Sequence, residues 1–236
     1  MKTIYRITCF TIGLVVAWVT IVSCSKQDEY YLDGGLAAQS EAEKNLLLYD
    51  FLSLKNQDRG DFDSLLRIID LTNSQALINQ SGITFFAAKN LSIRHFQKSF
   101  PGFTEALDPP RTLANIPLDT LQLFLNMWVF PQTDIELQDS YQRSRQTVQN
   151  ANGEAIFIDG LRGDFLRGLE SQGEDGFVRG IGALYIQYVK LRANYPNLTA
   201  DLRAEMQTHN LITRNARLHV LRSNVNFAGS YNFNPN

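Results

Sequence analysis

The chain has 236 residues, 22 basic and 24 acidic, with a formal charge of −2, and 44% of it is apolar. That is enough apolar material for one large domain or two small ones. A near-neutral chain without clustered Lys and Arg argues against a nucleic-acid partner, because phosphate neutralisation needs such clusters. Both cysteines, Cys9 and Cys24, lie near the start, which excludes a disulfide, a cysteine–metal site and a cysteine nucleophile from everything beyond them.

Lys2 and Arg6 precede an apolar run from Ile7 to Val22, broken only by Thr8, Thr11, Gly13 and Thr20. A basic start and a short apolar stretch ending in small residues predict a secretory signal over residues 1–23 rather than a spanning helix. Val22-Ser23-Cys24 resembles the lipobox of bacterial lipoproteins. The resemblance implies that Cys24 is the diacylated first residue of the mature protein, with palmitate-type chains holding it to the membrane. Ser25 follows the cysteine, unlike the Asp of an inner-membrane retention signal, and Lys26-Gln27-Asp28-Glu29 resembles the export tags of surface lipoproteins in Gram-negative bacteria. The expected location is the outer membrane, facing the cell surface, with a periplasm-facing domain as the alternative. Residues 24–40, with Gly34 and Gly35, read as the lipidated N-terminus and a flexible linker.

The folded part is expected over residues 41–236. Ser40 and Glu43 have capping-box spacing, and the following helix places Leu47, Phe51 and Leu54 on one face. After Asn56–Gly60 a second helix repeats Phe62, Leu65, Leu66 and Ile69 at helical intervals, with Asp61 placed to cap it. Gly82 then opens Ile83-Thr84-Phe85-Phe86-Ala87, whose imperfect alternation predicts a strand covered on both faces. Asn90 is placed to cap the helix that follows. Leu118, Leu121, Leu125 and Trp128 form a stripe on a later helix. Ala155–Ile158 and Ala183–Leu191 read as strands on either side of a Gly-rich region from Gly160 to Gly182.

The chemistry-bearing residues are few. His95, His209 and His219 show no metal-ligand spacing, so no metal and no cofactor are expected. No Gly-x-Ser-x-Gly elbow appears. Adjacent carboxylates such as Asp61/Asp63 and Glu174/Asp175 suit caps and solvated loops better than acid–base work. His219 alternates with Leu218 and Val220, which predicts a hydrogen-bonded structural histidine at a sheet edge. Two Arg-Gly-Asp triplets occur, Arg59-Gly60-Asp61 and Arg162-Gly163-Asp164. The first is expected to be structural through Asp61. The second, in the Gly-rich region, is the candidate binding triplet.

The segment Phe62–Leu66 through Leu77, followed by Ile83–Asn90, resembles the first half of a fasciclin domain. That family runs helix, helix, then a strand reading Thr-Val-Phe-Ala-Pro-Thr before Asp or Asn. Thr84, Phe86, Ala87 and Asn90 match, while Ala88 and Lys89 stand in place of Pro and Thr. Asn215-Ala216-Arg217-Leu218-His219-Val220-Leu221 resembles the second family motif, matching at Asn215, His219 and Val220. Pro117–Trp128 resembles the helix between them, with Met127-Trp128 where a Tyr-His pair linked to adhesion is usual. The resemblance implies an α+β, fasciclin-like fold of helices packed on a β-sheet wedge, with an enlarged insertion at about 131–210 in the second half. Thr84, Phe86, Asn90, Asn215 and His219 are then structural motif residues. The implied function is non-catalytic: a lipid-anchored surface binding or adhesion module that presents the insertion to a protein or glycan. The alternative is an accessory subunit of an outer-membrane nutrient (glycan) uptake complex.

Overall fold

The computed structural model describes residues 39–100, 112–143, 145–163, 165–166, 177–178, 183–194 and 201–229. All of them belong to one compact unit. The expected signal sequence, Cys24 and Asp164 lie outside the described residues.

The helical layer comes first. Helix α1 (Glu41–Lys44) forms the expected capping box, with the Glu43 amide donating to Ser40 Oγ and the Ser40 amide to Glu43 Oε2. The chain then breaks, and α2 (Leu48–Arg59) begins anew. The buried side chains of α2 are Leu48, Phe51 and Leu52 rather than the expected Leu47, Phe51 and Leu54. Leu47 is the extended N-cap residue and not part of the helix, whose first amide, that of Leu48, donates to Asn215 Oδ1 at 2.9 Å. Gly60, at φ +67°, closes α2 in the left-handed region that a side chain would strain.

Helix α3 (Asp63–Leu71) buries Leu65 and Ile69 of the expected face together with Ile68, while Leu66, also expected there, is only half-buried. Its first turn is held by Asn90, whose Oδ1 accepts from the Ser64 amide at 2.8 Å. Asp61 instead pairs with Lys89 at 3.3 Å, so the expected Asp61 cap is not formed. Short α4 (Gln75–Ile78) leads into β1 (Ile83–Ala87), all five residues of which are buried. Helix α5 (Asn90–Ser99) buries Ser92, Ile93 and Phe96. After a 3-10 turn (Leu113–Asn115), α6 (Leu118–Asn126) buries Leu121, Phe124 and Leu125. Leu118, expected in that stripe, is 52% exposed because the first turn of α6 rises out of the core.

The sheet occupies the second half. Strands β2 (Val129–Phe130), β3 (Arg145–Gln149), β4 (Ala155–Arg162), β7 (Leu184–Lys190), β8 (Leu202–Ile212) and β9 (Ala216–Leu221) join β1 in the order β2-β1-β9-β8-β7-β4-β3. Helix α7 (Leu137–Arg143) precedes β3, a second 3-10 turn (Arg192–Asn194) follows β7, and β5 (Phe165–Leu166) and β6 (Phe177–Val178) form a separate antiparallel pair. The long segment 131–210 thus supplies β3, β4, β7 and most of β8 to the same sheet as the motif strands, with α7 packed on β4.

The sheet curls toward closure. β8 pairs with β7 only from Leu202 to Glu205, then with β9 from Met206 onward through two register shifts. A bulge adds local twist, and Asn210 sits there at φ +56°. At the far side the sheet nearly closes, because the Ala151 amide, just beyond β3, donates to Val129 O of β2 at 2.8 Å. Inside, Trp128 and Phe130 pack on Tyr188 and Phe86 on Phe130, with ring centroids 4.8 to 6.4 Å apart. Each such buried ring contributes about 1.5–3 kcal/mol through lost apolar surface. Helix α7 lies against β4 so closely that a Cβ on Gly160 would fall 2.2 Å from Ser140 C and Tyr141 N.

Candidate functional site

The motif residues come together where β1 and β9 run side by side. The two strands pair in parallel, with Ile83 opposite Ala216, Phe86 opposite His219 and Ala87 opposite Val220. Thr84 Oγ1 donates to Thr133 O at 2.7 Å and accepts from the Ile135 amide at 2.9 Å, fixing the chain that leaves β2. Asn215 accepts from the Leu48 amide and donates to Ile78 O and Gln80 O, both at 3.0 Å. Asn90 reaches back to Gly60 O and the Ser64 amide instead of capping its own helix, which has no side-chain cap. Phe86 stacks edge-on to His219 at 5.4 Å. Each of these polar side chains satisfies backbone groups that burial would otherwise leave unpaired.

His219 is fully buried in β9, between β1 and β8, so it does not sit at a sheet edge. Its Nε2 lies 2.8 Å from Ile135 O, and its Nδ1 faces the Asn210 amide at 3.5 Å. An amide can only donate, so Nδ1 accepts and the proton rests on Nε2. His209 faces it across 5.9 Å, and its own Nε2 accepts from the Ile186 amide at 3.2 Å where β7 and β8 diverge. His209 thereby stands in for a strand carbonyl at that divergence. Burial pushes the imidazole of His219 down to about 3 and that of His209 down to about 4; the neighbouring His209 and then Arg217 further disfavour a charge on His219, and Arg222 does so on His209. Both rings are neutral at ordinary pH, and both His219 nitrogens are already engaged. Chemically they tie strands together. Among the described residues no group of three or more His, Cys, Asp or Glu is placed to hold a metal ion, and no helix is long and apolar enough to cross a membrane.

The candidate binding site lies elsewhere, in a cleft of about 360 Å³ between α2 and the β8–β9 strands. This is within the size range of ligand pockets. Phe51, Phe62, Leu211, Leu218 and Val220 give it apolar and aromatic surface, and Lys55, Asp58, Arg59, Asp61 and Lys89 give it charged groups of both signs. Lys55 is bonded to Glu43 and lies 5.5 Å from the Phe51 ring, so its ammonium is held over the cleft instead of ranging freely. Gln39 closes one end, its side-chain amide donating to Ile212 O at 3.0 Å and accepting from the Ile212 amide at 2.8 Å. Such a surface can receive a ring or side chain on its apolar floor and hydroxyl or ionic groups at its rim.

The Arg-Gly-Asp triplets are differently placed. Arg59 and Asp61 both line this cleft, with Gly60 turning between them. Of the second triplet, Arg162 ends β4 with its guanidinium 5.5 Å over the Tyr141 ring and its Nε buried without a hydrogen bond. Gly163 donates to Ala183 O at 3.0 Å, and Asp164 lies outside the described residues. The folded-back Arg162 differs from the extended arginine that receptor recognition by this triplet needs. Lys55, Gln39 and Leu211 were not legible as site residues, since they meet only through the tertiary fold. Lys89 carried a signal: with Ala88 it departs from the fasciclin-like pattern, and of the two it is the one that lines the cleft.

No protein-family model matches the chain, and no curated protein does. Among solved structures, the chain is similar to a fasciclin domain pair from the insect cell adhesion molecule fasciclin I, with a TM-score of 0.34 and 13% identity. The match covers 73% of this chain and 42% of that one, so the chain spans less than half of the pair. The fold is a mixed α and β one, helices with a seven-stranded, nearly closed sheet.

Proposed function

We propose that this chain is a fasciclin-like, non-catalytic binding module, tethered to the outer membrane by acyl chains on Cys24 and facing the cell surface, which takes a protein or glycan ligand in the α2/β8–β9 cleft. The observation that carries the reading is the parallel pairing of β1 with β9, which sets the two motif segments in register. Their polar side chains are engaged with backbone: Thr84 with Thr133 and Ile135, Asn215 with Leu48, Ile78 and Gln80. These bonds support reading the motif as scaffold, and the mixed apolar and charged cleft beside it as the recognition surface. The lipobox-like Val22-Ser23-Cys24 is what supports the anchor in this reading.

Labelling with a palmitate analogue, followed by protease shaving of intact cells, tests the anchored half of this proposal. Wild-type chain is expected to carry label and to be shaved, and Cys24→Ser to lose the label and the membrane. Unlabelled wild-type chain would sink the anchor, and labelled chain resistant to shaving would move it to the periplasmic face. Co-purification with an outer-membrane transporter would favour the uptake-complex reading over free adhesion.

A further inference from the structure

The outer strand of the sheet, β3, presents an open edge whose geometry is self-complementary. In the antiparallel β3–β4 ladder, residue pairs alternate between those that exchange hydrogen bonds and those that do not. The Asn150 amide donates to Glu154 O at 3.1 Å, which marks Asn150, and hence Val148 and Gln146, as the residues bonded toward β4. Arg145, Thr147 and Gln149 must then aim their amides and carbonyls away from the sheet. The Ala151 amide confirms the parity independently, since it points outward and is taken by Val129 O of β2 at 2.8 Å. Among the described residues no other backbone bond joins β2 to β3, and β3 stands as the end strand of the sheet.

Edges of this kind are ordinarily defended by lysine, proline, a bulge or an inward charge. β3, Arg145-Gln146-Thr147-Val148-Gln149, has none of these, and its register with β4 is unbroken. Its single charge is already committed: Arg145 donates to both Asp159 oxygens at 2.7 and 2.6 Å and lies 5.1 Å from the Phe157 ring. The guanidinium therefore leans back over its own sheet and does not screen the edge. Arg145, Thr147 and Gln149 are exposed, and Gln146 and Val148 half-buried.

We infer that β3 is a docking edge for a second copy of this chain, the two β3 strands pairing antiparallel about a two-fold axis through Thr147. In that register Thr147 lies opposite the second copy's Thr147, and Arg145 opposite the second copy's Gln149. Every outward amide then meets an outward carbonyl, because the residues brought opposite each other are the ones whose backbone groups face out. No like charges meet, since each arginine faces a glutamine while remaining paired to its own Asp159. Thr–Thr pairs across strands are favourable. The edge is short, so the dimer is weak and concentration-dependent, below the standard interface size.

The test uses single cysteines in the full chain, the parent chain giving the background from Cys9 and Cys24. With a short bifunctional thiol crosslinker, Thr147→Cys is expected to give dimer far faster than Arg145→Cys or an exposed control on β8, Gln207→Cys. The register separates like residues at 145 by about four positions, on the order of 13 Å. Thr147→Lys places like charges directly opposite and is expected to weaken self-association in sedimentation velocity by at least about tenfold, with unchanged circular dichroism. A chain that stays monomeric up to about 1 mM, or Thr147→Cys that crosslinks no faster than Gln207→Cys, overturns the proposal. So does a dimer indifferent to Thr147→Lys, or Thr147→Cys linking only to a different envelope protein.

Discussion

Acidification from pH 7 to pH 5 is expected to destabilise this fold by way of His209 and His219. In the unfolded chain both imidazoles titrate at about 6.5, whereas burial holds them at about 4 and about 3 in the fold. Between those values the unfolded chain binds more protons than the folded one, so stability falls as pH falls through 6.5 and goes on falling toward the folded values. At pH 5 each ring lies about 1.5 units below its unfolded value, which costs about 2 kcal/mol apiece and about 4 kcal/mol together. That is a large part of a typical domain stability of about 5–15 kcal/mol. The carboxylates held low by partners, Asp134 by Arg217 and Glu43 by Lys55, start from 3.8 and 4.5 and lose their contribution only below this window. Urea unfolding followed by Trp fluorescence should show a midpoint lower by about 1.3–2 M at pH 5, taking a slope of about 2–3 kcal/mol per M. His209→Gln keeps an acceptor for the Ile186 amide while removing the titration, and should roughly halve the pH dependence. A midpoint unchanged between pH 7 and pH 5, or an NMR titration placing either ring above 6, would refute the reasoning.

Asn215→Ala strands the Leu48 amide and the carbonyls of Ile78 and Gln80 together; a loss of about 3 kcal/mol or more is expected in denaturant titration, and a loss under 1 kcal/mol would show that these groups find other partners. Gly160→Ala drives a methyl into the α7 backbone and should cost about 2 kcal/mol or more. Gly153→Ala, at φ +75° but with open space around it, should cost only about 1 kcal/mol; equal costs would contradict the close α7 contact. Trp128→Phe removes the indole donor to Phe227 O, 2.9 Å away, leaving a buried carbonyl short of a partner. A drop of about 1–3 kcal/mol is expected, with earlier hydrogen exchange near the C-terminal turn.

The parts of the fold legible in the sequence are those set by local pattern. Ile83–Ala87 has no polar face to turn outward, and all five residues are indeed buried. The runs within β4 and β7, and the Leu65/Ile69 face of α3, likewise carry their period on the surface of the text. What local pattern could not supply were the long-range caps. Asn90 sits where its own helix could use it, yet it serves Ser64 and Gly60, and Asn215 starts a helix at Leu48 far earlier in the chain. A capping asparagine signals that a helix start is near in space, without naming which one. His219 was legible as structural but not as central, because alternation with Leu218 and Val220 is the same in an edge strand and an inner one. The cleft was hidden for the same reason: Gln39, Lys55, Lys89 and Leu211 share a wall only after β8 and β9 fold beneath α2.

Binding of the mature chain to arrays of envelope proteins, host-surface proteins and glycans, run beside the double variant Arg59→Glu/Lys89→Glu, tests the central claim most directly. Arg59 is exposed and Lys89 lines the cleft in a pair with Asp61, so the variant reverses charge at the cleft, and its circular dichroism and melting midpoint are measured beside the wild type to separate lost recognition from lost fold. The expected result is a reproducible protein or glycan ligand whose affinity falls at least about tenfold, about 1.4 kcal/mol, in the variant. Silence across all the arrays, or a ligand held equally well by the charge-reversed chain, would contradict the assignment of this cleft as the recognition surface.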